Sequence, residues 1–224
     1  RTFVDRYQAY ERLVIGFNMH KPDFEFKHVI DILQELGMRR LRLSISVPPN
    51  AQAQNYISYF ENMKPQYFRF LEDLYRIGVV PSLDCNLMPA CITTQSEKEF
   101  LTRFQQMNQR DGLGVDFNLL SPPKCNPVID IDVDLTAIRC FGVSEQTRVN
   151  IASFKNIHEL HNYYLKTVDR FADQVVGDKK CMDCRSFHTM ECWGGCLGFY
   201  MDQISATRGK VEEFNSVRWG EGAQ

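Results

Sequence analysis

The first hundred residues alternate between short apolar runs and longer segments of helical periodicity. Short runs occupy residues 12–18, 40–46 and 79–83, and each of them predicts a β-strand. Between these runs, residues 24–38 and 67–77 repeat apolar side chains at helical spacing, with a glycine near the end of each segment. Strands and helices that alternate through short connections predict parallel βαβ units, and hence an α/β fold.

The predicted strands are too few to close an eight-stranded barrel. We therefore expect either an open sheet or the last strands of a larger, partial TIM-like barrel. In both arrangements ligands bind at the C-terminal ends of the strands. Asn18, Ser44 and Ser46 lie at these ends of the first two predicted strands. We predict that these three side chains face a cofactor.

A different pattern begins near residue 115. Residues 128–133 and 136–140 are short apolar runs on either side of Asp134 and Leu135, which predicts a β-hairpin. Residues 157–176 then predict a long amphipathic helix, and a cysteine-rich segment follows it. The change from one pattern to the other predicts a second domain.

The chain of 224 residues is long enough for two domains, an α/β domain over residues 1–115 and a small cysteine-rich α+β domain over residues 116–224. The formal net charge of −2 gives no electrostatic reason to expect nucleic acid or an anionic membrane as a partner. No apolar run approaches the roughly 20 residues of a membrane helix. The first residues lack the apolar segment of a secretory signal, so we expect a cytoplasmic protein. Because the sequence does not begin with Met, we expect it to be a piece of a longer protein.

Half of the cysteines lie in CMDCRSFHTMECWGGC, residues 181–196. The eight cysteines of the chain are Cys85, Cys91, Cys125, Cys140, Cys181, Cys184, Cys192 and Cys196. Disulfide frameworks are typical of small secreted proteins, so an apolar content of 44% without an export signal favours reduced thiols. Thiolates that are concentrated in this way bind soft metals, as zinc or an iron–sulfur cluster.

The spacing C-x2-C-x7-C-x3-C is compatible with either kind of centre. Gly194 and Gly195 would let the backbone approach a bulky centre without a Cβ clash. Cys125 and Cys140 flank the predicted hairpin, which brings its two ends to one place. Six cysteines in two groups exceed the four ligands of one tetrahedral zinc ion and suit one or two iron–sulfur clusters. The spacing alone leaves zinc and iron–sulfur equally open.

The cysteine-flanked hairpin, the long helix and the ending C-x2-C-x7-C-W-G-G-C together resemble the C-terminal SPASM domain of radical S-adenosylmethionine enzymes. The first domain is similar to the end of the partial barrel that precedes such a domain. The resemblance implies one or two auxiliary [4Fe–4S] clusters. By position, it assigns Cys125, Cys140 and Cys196 to one cluster and Cys181, Cys184 and Cys192 to the other.

The chain also departs from the family pattern. Leu135 stands where the family usually has a glycine, and no cysteine follows Cys196. Cys85 and Cys91 follow the third predicted strand; we interpret them as buried thiols, with a ligand role as the alternative. The CxxxCxxC motif that holds the S-adenosylmethionine-cleaving cluster does not occur. We therefore expect S-adenosylmethionine only in an intact parent protein, and no reaction by this chain alone.

The resemblance implies an oxidoreductase whose auxiliary clusters assist the modification of a peptide or protein substrate. We expect neither nucleic acid nor membrane as a partner. The alternative is a non-catalytic, zinc-binding α/β module that binds another protein.

Overall fold

The computed structural model describes residues 13–47, 55–83, 86, 88–110, 128–140, 147–169, 178–189, 192, 194–196, 198 and 199, with only the backbone of residues 108–110, 179 and 182. The chain divides into two compact units. One comprises Arg1–Pro48 with Ile57–Pro123, and the other Pro49–Tyr56 with Lys124–Gln224. The domain boundary predicted after residue 115 lies outside the described residues.

The first unit contains a parallel sheet of three strands in the order β1-β2-β3. The strands are β1 (Ile15–Met19), β2 (Arg40–Ile45) and β3 (Val80–Leu83), and the helices between them are α1 (Lys27–Glu35) and α2 (Tyr56–Arg76). The predicted βαβ units and the mixed α/β class are thus confirmed.

The side chains of strand β2 show which face of the sheet is buried. Leu41, Leu43 and Ile45 are almost completely buried. Arg40 and Arg42 alternate with them and are exposed. Because successive side chains of a strand point to opposite faces, the sheet has one apolar face in the core and one polar face.

Glycines end both of the helices between the strands, as the sequence predicts. Gly37 and Gly78 have φ angles of +60° and +70°, a left-handed conformation that favours glycine. After Gly37, the N–H of Met38 donates to the carbonyl of Leu33 at 2.9 Å, and an equivalent bond follows Gly78. These bonds satisfy carbonyls at the helix ends and direct the chain into β2 and β3.

Four phenylalanines form the centre of the first unit's core. The ring centroid of Phe70 in α2 lies 5.3 Å from that of Phe17, 6.1 Å from Phe24 and 4.9 Å from Phe26. Tilted and edge-on ring pairs add about 0.5–1.5 kcal/mol each beyond the area that they bury. Phe17 is in register with the buried Leu43. The cluster therefore packs α2 and the start of α1 against the apolar face of the sheet.

Two helices of the first unit differ from the prediction. Helix α2 begins at Tyr56, well before the start predicted at residue 67, and it continues through Pro65, a residue type that usually interrupts a helix. Helix α3 (Gln95–Arg110) has a largely polar sequence, so apolar periodicity does not predict it. Ile32 and Tyr75, which helical spacing assigns to the buried sides of α1 and α2, are exposed.

The second unit contains an antiparallel sheet and short helical segments. Its elements include β4 (Asp130–Ile131), β5 (Thr136–Ile138), β6 (Val149–Asn150), α4 (Ile157–Tyr164), a π-helical turn (Leu165–Asp169), a 3₁₀ turn (Lys179–Asp183) and α5 (Arg185–His188). Strands β4 and β5 form the predicted hairpin, and β6, which the sequence pattern does not predict, pairs with β5. The helix predicted over residues 157–176 is confirmed as far as residue 169, and residues 170–177 lie outside the described part of the chain.

Helix α4 and its π-helical extension bury one side. Leu160, Tyr164 and Val168 follow one another at intervals of four and are almost completely buried. The hydroxyl of Tyr164 donates to the carbonyl of Thr147 at 3.1 Å. Burial raises the pKa of Tyr164 to about 12, so this hydroxyl stays protonated and can donate. Leu165, which the helical pattern also assigns to the buried side, is exposed.

None of the helices in the described ranges is both long and apolar enough to cross a membrane.

Candidate metal centre

Cys140 lies just beyond the hairpin, next to a buried ion pair. It follows β5 and is half-buried. The neighbouring Arg139 donates from Nε to Asp169 Oδ1 at 2.8 Å and from Nη2 to Asp169 Oδ2 at 2.6 Å. This bidentate pair ties the end of the hairpin to the π-helical turn after α4, and so fixes the backbone beside Cys140. Cys125, its predicted partner, lies outside the described residues.

Cys181 and Cys184 lie on a tight turn. Asp178 caps the 3₁₀ turn, because its Oδ1 accepts from the N–H of Lys180 at 2.8 Å and its carbonyl accepts from the N–H of Cys181 at 2.9 Å. The N–H of Cys184 then donates to the carbonyl of Cys181 at 3.1 Å. Asp178 is itself buried, and its Oδ2 accepts from the side-chain amide of Asn55. The turn holds one buried and one half-buried thiol.

Cys192 and Cys196 share a local motif that the spacing of the cysteines does not reveal. The N–H of Gly194 donates to the Sγ of Cys192 at 3.4 Å, and the N–H of Gly198 donates to the Sγ of Cys196 at 3.4 Å. Each of the two hydrogen bonds lies within a Cys-x-Gly sequence, and this short pattern is the sequence signal for them. A hydrogen bond to sulfur favours its charged, metal-binding form and tunes a bound metal.

The two glycines between these cysteines have different roles. Gly194 and Gly195 have φ angles of +76° and +111°. The sequence suggests that both make room for a metal centre, but a Cβ on Gly195 would lie 2.7 Å from Cζ of Tyr56. The ring of Tyr56 in turn packs edge-on against that of Phe199, with centroids 5.0 Å apart. Gly195 therefore makes room for an aromatic ring, and its predicted role beside a metal centre stays a prediction.

The described cysteines are arranged in local motifs rather than in one metal-binding group. Within the described ranges, no three side chains of His, Cys, Asp or Glu lie close enough to hold a metal ion. Cys91 lies on a 3₁₀ turn (Ala90–Ile92) and is exposed, which corrects its interpretation as a buried thiol. Cys85 lies outside the described residues.

The three residues predicted to face a cofactor lie on one face of the parallel sheet. Asn18 is in register with Ser44 on the neighbouring strand. Ser44 and Ser46 flank Ile45, whose side chain is buried, so both serines belong to the opposite, polar face. Asn18 is exposed and the two serines are half-buried. The structure thus brings the three to one place at the C-terminal edge of β1 and β2.

Two further residues at this edge were not predicted. The hydroxyl of Tyr59 donates to the carbonyl of Ser46 at 2.8 Å, and burial raises the pKa of Tyr59 to about 12. The side-chain amide of Asn86 donates to the carbonyl of Ile45 at 2.8 Å. The Oδ1 atom of Asn86 is buried and accepts no hydrogen bond. These side chains reach the edge from distant segments, so no local motif predicts them.

No protein-family model matches the chain, no curated protein matches it, and no solved structure matches its fold.

Proposed function

We propose that the chain is the C-terminal portion of a radical S-adenosylmethionine oxidoreductase of the SPASM type. The first unit would be the end of the partial barrel, and the second would be the auxiliary-cluster domain. The observation that carries the proposal is the pair of N–H to Sγ hydrogen bonds at Cys192 and Cys196. Cysteines whose sulfurs accept hydrogen bonds from backbone N–H groups suit the role of thiolate ligands to a soft metal centre.

The backbone of Leu135 also supports the proposal. Its φ angle is +62°, in the left-handed region that glycine adopts at least cost. This is the position at which the family pattern has a glycine. This chain has leucine where the family has glycine, but the backbone at Leu135 keeps the left-handed conformation that glycine would adopt.

The cysteines fit iron–sulfur clusters in the chemistry of their donors. Under the proposal, one cluster is held by Cys125, Cys140 and Cys196 and the other by Cys181, Cys184 and Cys192. Such clusters, when bound, supply one-electron transfer. The chain's own contribution is to hold the thiolates, to direct the N–H groups of Gly194 and Gly198 at two of the sulfurs, and to limit access of water to the half-buried thiols.

The separation of the described thiols implies that metal binding is coupled to local folding. Ligands that do not converge must be drawn together, and the free energy of binding then contributes to the stability of the folded unit. Asn18, Ser44 and Ser46 would face S-adenosylmethionine or substrate only in an intact parent protein. The intact enzyme would modify a peptide or protein in the cytoplasm, and this chain alone would be inactive.

Anaerobic reconstitution with iron and sulfide tests the proposal. We expect uptake of about four iron and four sulfide ions per cluster and the visible absorbance of an iron–sulfur chromophore. Cys181→Ala with Cys184→Ala should remove one cluster, and Cys196→Ala should impair the other. Cys91→Ala, which changes an exposed thiol of the other unit, is the matched control and should leave iron uptake unchanged.

The alternative is a non-catalytic zinc module that binds a protein partner. The tight turn between Cys181 and Cys184 favours it, because zinc knuckles use the same C-x2-C spacing. The same reconstitution distinguishes the two. Stoichiometric zinc that resists displacement, with no uptake of iron, would establish the zinc module and refute the cluster proposal.

A further inference from the structure

Exposed apolar side chains are concentrated on the β4–β5 hairpin. Nine large apolar side chains are exposed among the described residues, and four of them lie in residues 128–135. These four are Val128, Ile131, Val133 and Leu135, and Val133 is 99% exposed. A group of exposed apolar side chains in one short segment is typical of an interaction surface.

The hairpin also presents unused main-chain groups. In the order β4-β5-β6, the outer side of β4 has no neighbouring strand within the described part of the chain. The N–H of Asp132 donates to the carbonyl of Thr136 at 2.8 Å, toward β5. Because these groups alternate along a strand, the N–H and C=O of Ile131 point away from β5. Such an edge can pair with an extended peptide.

The charges of the hairpin restrict which peptide fits. Asp130, Asp132 and Asp134 alternate along it. Arg148 lies 3.9 Å from Asp134, and no cation of the described residues forms an ion pair with Asp130 or Asp132. Two copies of β4 would place like charges opposite one another, which destabilises a strand pair. The edge therefore favours a basic partner over a second copy of this chain.

We propose that the outer edge of β4 binds an extended peptide segment in which basic and apolar residues alternate. The main chain of Ile131 pairs with the peptide backbone, the exposed apolar side chains of the hairpin cover the apolar residues of the peptide, and Asp130 and Asp132 attract its Lys or Arg side chains. The proposal extends the proposed function by giving the class of peptide and its place of binding. It involves no cysteine and no metal, so it succeeds or fails independently of iron uptake.

Fluorescence anisotropy with the full 224-residue chain tests the proposal. The probes are two dye-labelled peptides, one alternating Lys and Val and the other alternating Glu and Val. We expect the Lys peptide to bind at least about tenfold more tightly, with a difference that decreases as salt is added. The result should be the same in metal-free and iron-loaded protein. Equal affinity for the two peptides would overturn the proposal.

Variants of the hairpin locate the site. Asp130→Asn combined with Asp132→Asn should weaken binding of the Lys peptide by about tenfold. Ile131→Pro removes the outward N–H and should weaken both the Lys peptide and an uncharged Ser–Val peptide. Asp23→Asn combined with Glu61→Gln removes two exposed charges from the other unit and should have no effect. Unchanged binding in the hairpin variants, or an equal loss in the control, would contradict the proposed site.

Sedimentation measurements test the competing occupant. We expect the chain to show no dimer that depends on the edge of β4. A concentration-dependent dimer that Ile131→Pro abolishes would mean that a second copy occupies the edge, and the peptide proposal would be wrong. The double Asp variant keeps the test valid if Ile131→Pro fails to fold, because it alters no main-chain group.

Discussion

Leu135 holds the hairpin turn in a conformation that leucine disfavours. The N–H of Leu135 donates to the carbonyl of Asp132 at 3.0 Å, and its own carbonyl accepts from the N–H of Ile151 at 3.0 Å. Leu135 forms both bonds with a left-handed backbone, whose φ angle is +62°. This conformation costs a residue with a Cβ about 1–2 kcal/mol. The side chain is exposed, so its burial offsets little of that cost.

Replacement of Leu135 by glycine should therefore stabilise the second unit. We expect a gain of about 0.5–1 kcal/mol, because relief of the backbone strain exceeds the added entropy of the unfolded chain. The measurement is the midpoint of urea unfolding. Leu165→Gly is the matched control, since Leu165 is also exposed but has a helical backbone, and it should destabilise by about 1 kcal/mol. A loss of stability in Leu135→Gly would show that the turn does not strain leucine.

A small addition at Gly195 should be harmful. A Cβ there would lie 2.7 Å from Cζ of Tyr56, and the φ angle is +111°. We expect Gly195→Ala to destabilise the protein by about 1–3 kcal/mol, and Tyr56→Ala in the same chain to recover part of the loss. Gly16→Ala is the control, because nothing lies within 4 Å of its added Cβ. The unfolding temperature of each variant is the measurement, and equal losses for Gly195→Ala and Gly16→Ala would refute the close contact.

At the scale of single elements, helix α3 shows what apolar periodicity overlooks. Its start is a capping box, in which the N–H of Thr94 donates to Glu97 Oε2 at 2.6 Å and the N–H of Glu97 donates to Thr94 Oγ1 at 3.4 Å. The pattern Thr-x-x-Glu is visible in the sequence and would have predicted the helix. Strand β6 has only two residues, and its place in the sheet depends on pairing with β5. Such a strand has no periodicity of its own to detect.

The capping box gives α3 a pH-dependent stability. Burial raises the pKa of Glu97, but hydrogen bonds from Thr94 and from Lys64, whose Nζ lies 3.3 Å away, outweigh burial and lower that pKa overall. A carboxyl with a lowered pKa stabilises the fold above its unfolded pKa, and the contribution is lost as pH falls through the folded pKa. The difference in unfolding free energy between wild type and Glu97→Gln should be constant from about pH 7 to pH 5 and shrink toward about pH 3. A difference that grows on acidification would contradict this sign.

The ion pair between Arg139 and Asp169 connects two elements of the second unit. The two side chains are only 8% and 16% exposed, and their contact is bidentate. Arg139→Met leaves a buried carboxylate without its partner, which typically costs about 3–5 kcal/mol. Asp169→Leu in the same chain should recover part of the loss. The measurement is the free energy of unfolding from a urea titration. The control is Asp31→Asn, which breaks an exposed pair with Lys27 and should cost at most about 1 kcal/mol. Similar costs for the two variants would mean that the buried pair stabilises the fold no more than the exposed one.

At the scale of the whole molecule, the sequence predicts local features better than contacts between residues that are far apart in the chain. The parallel strands, the glycines that end α1 and α2, and the hairpin follow from periodicity and turn residues, which act over a few positions. The approach of Gly195 to Tyr56 joins distant parts of the chain and has no local signature. The same limit applies to the cysteines. Their spacing indicates that they bind a soft metal, whereas the grouping of ligands from several segments depends on packing that spacing does not encode.

Metal loading should act on the second unit because the described cysteines of the proposed clusters belong to it. Loading with iron and sulfide under anaerobic conditions should raise the unfolding temperature, since a ligand that binds only the folded state at 100 times its Kd adds about 2.7 kcal/mol. Hydrogen exchange should slow in residues 130–140 and 178–199 and remain unchanged in residues 15–47 and 57–83 of the first unit, because drawing the thiols together orders the segments that carry them. Cys192→Ala should reduce both effects, and Cys91→Ala should reduce neither. Iron that binds without slower exchange in the cysteine-bearing segments would show that these thiols are not its ligands.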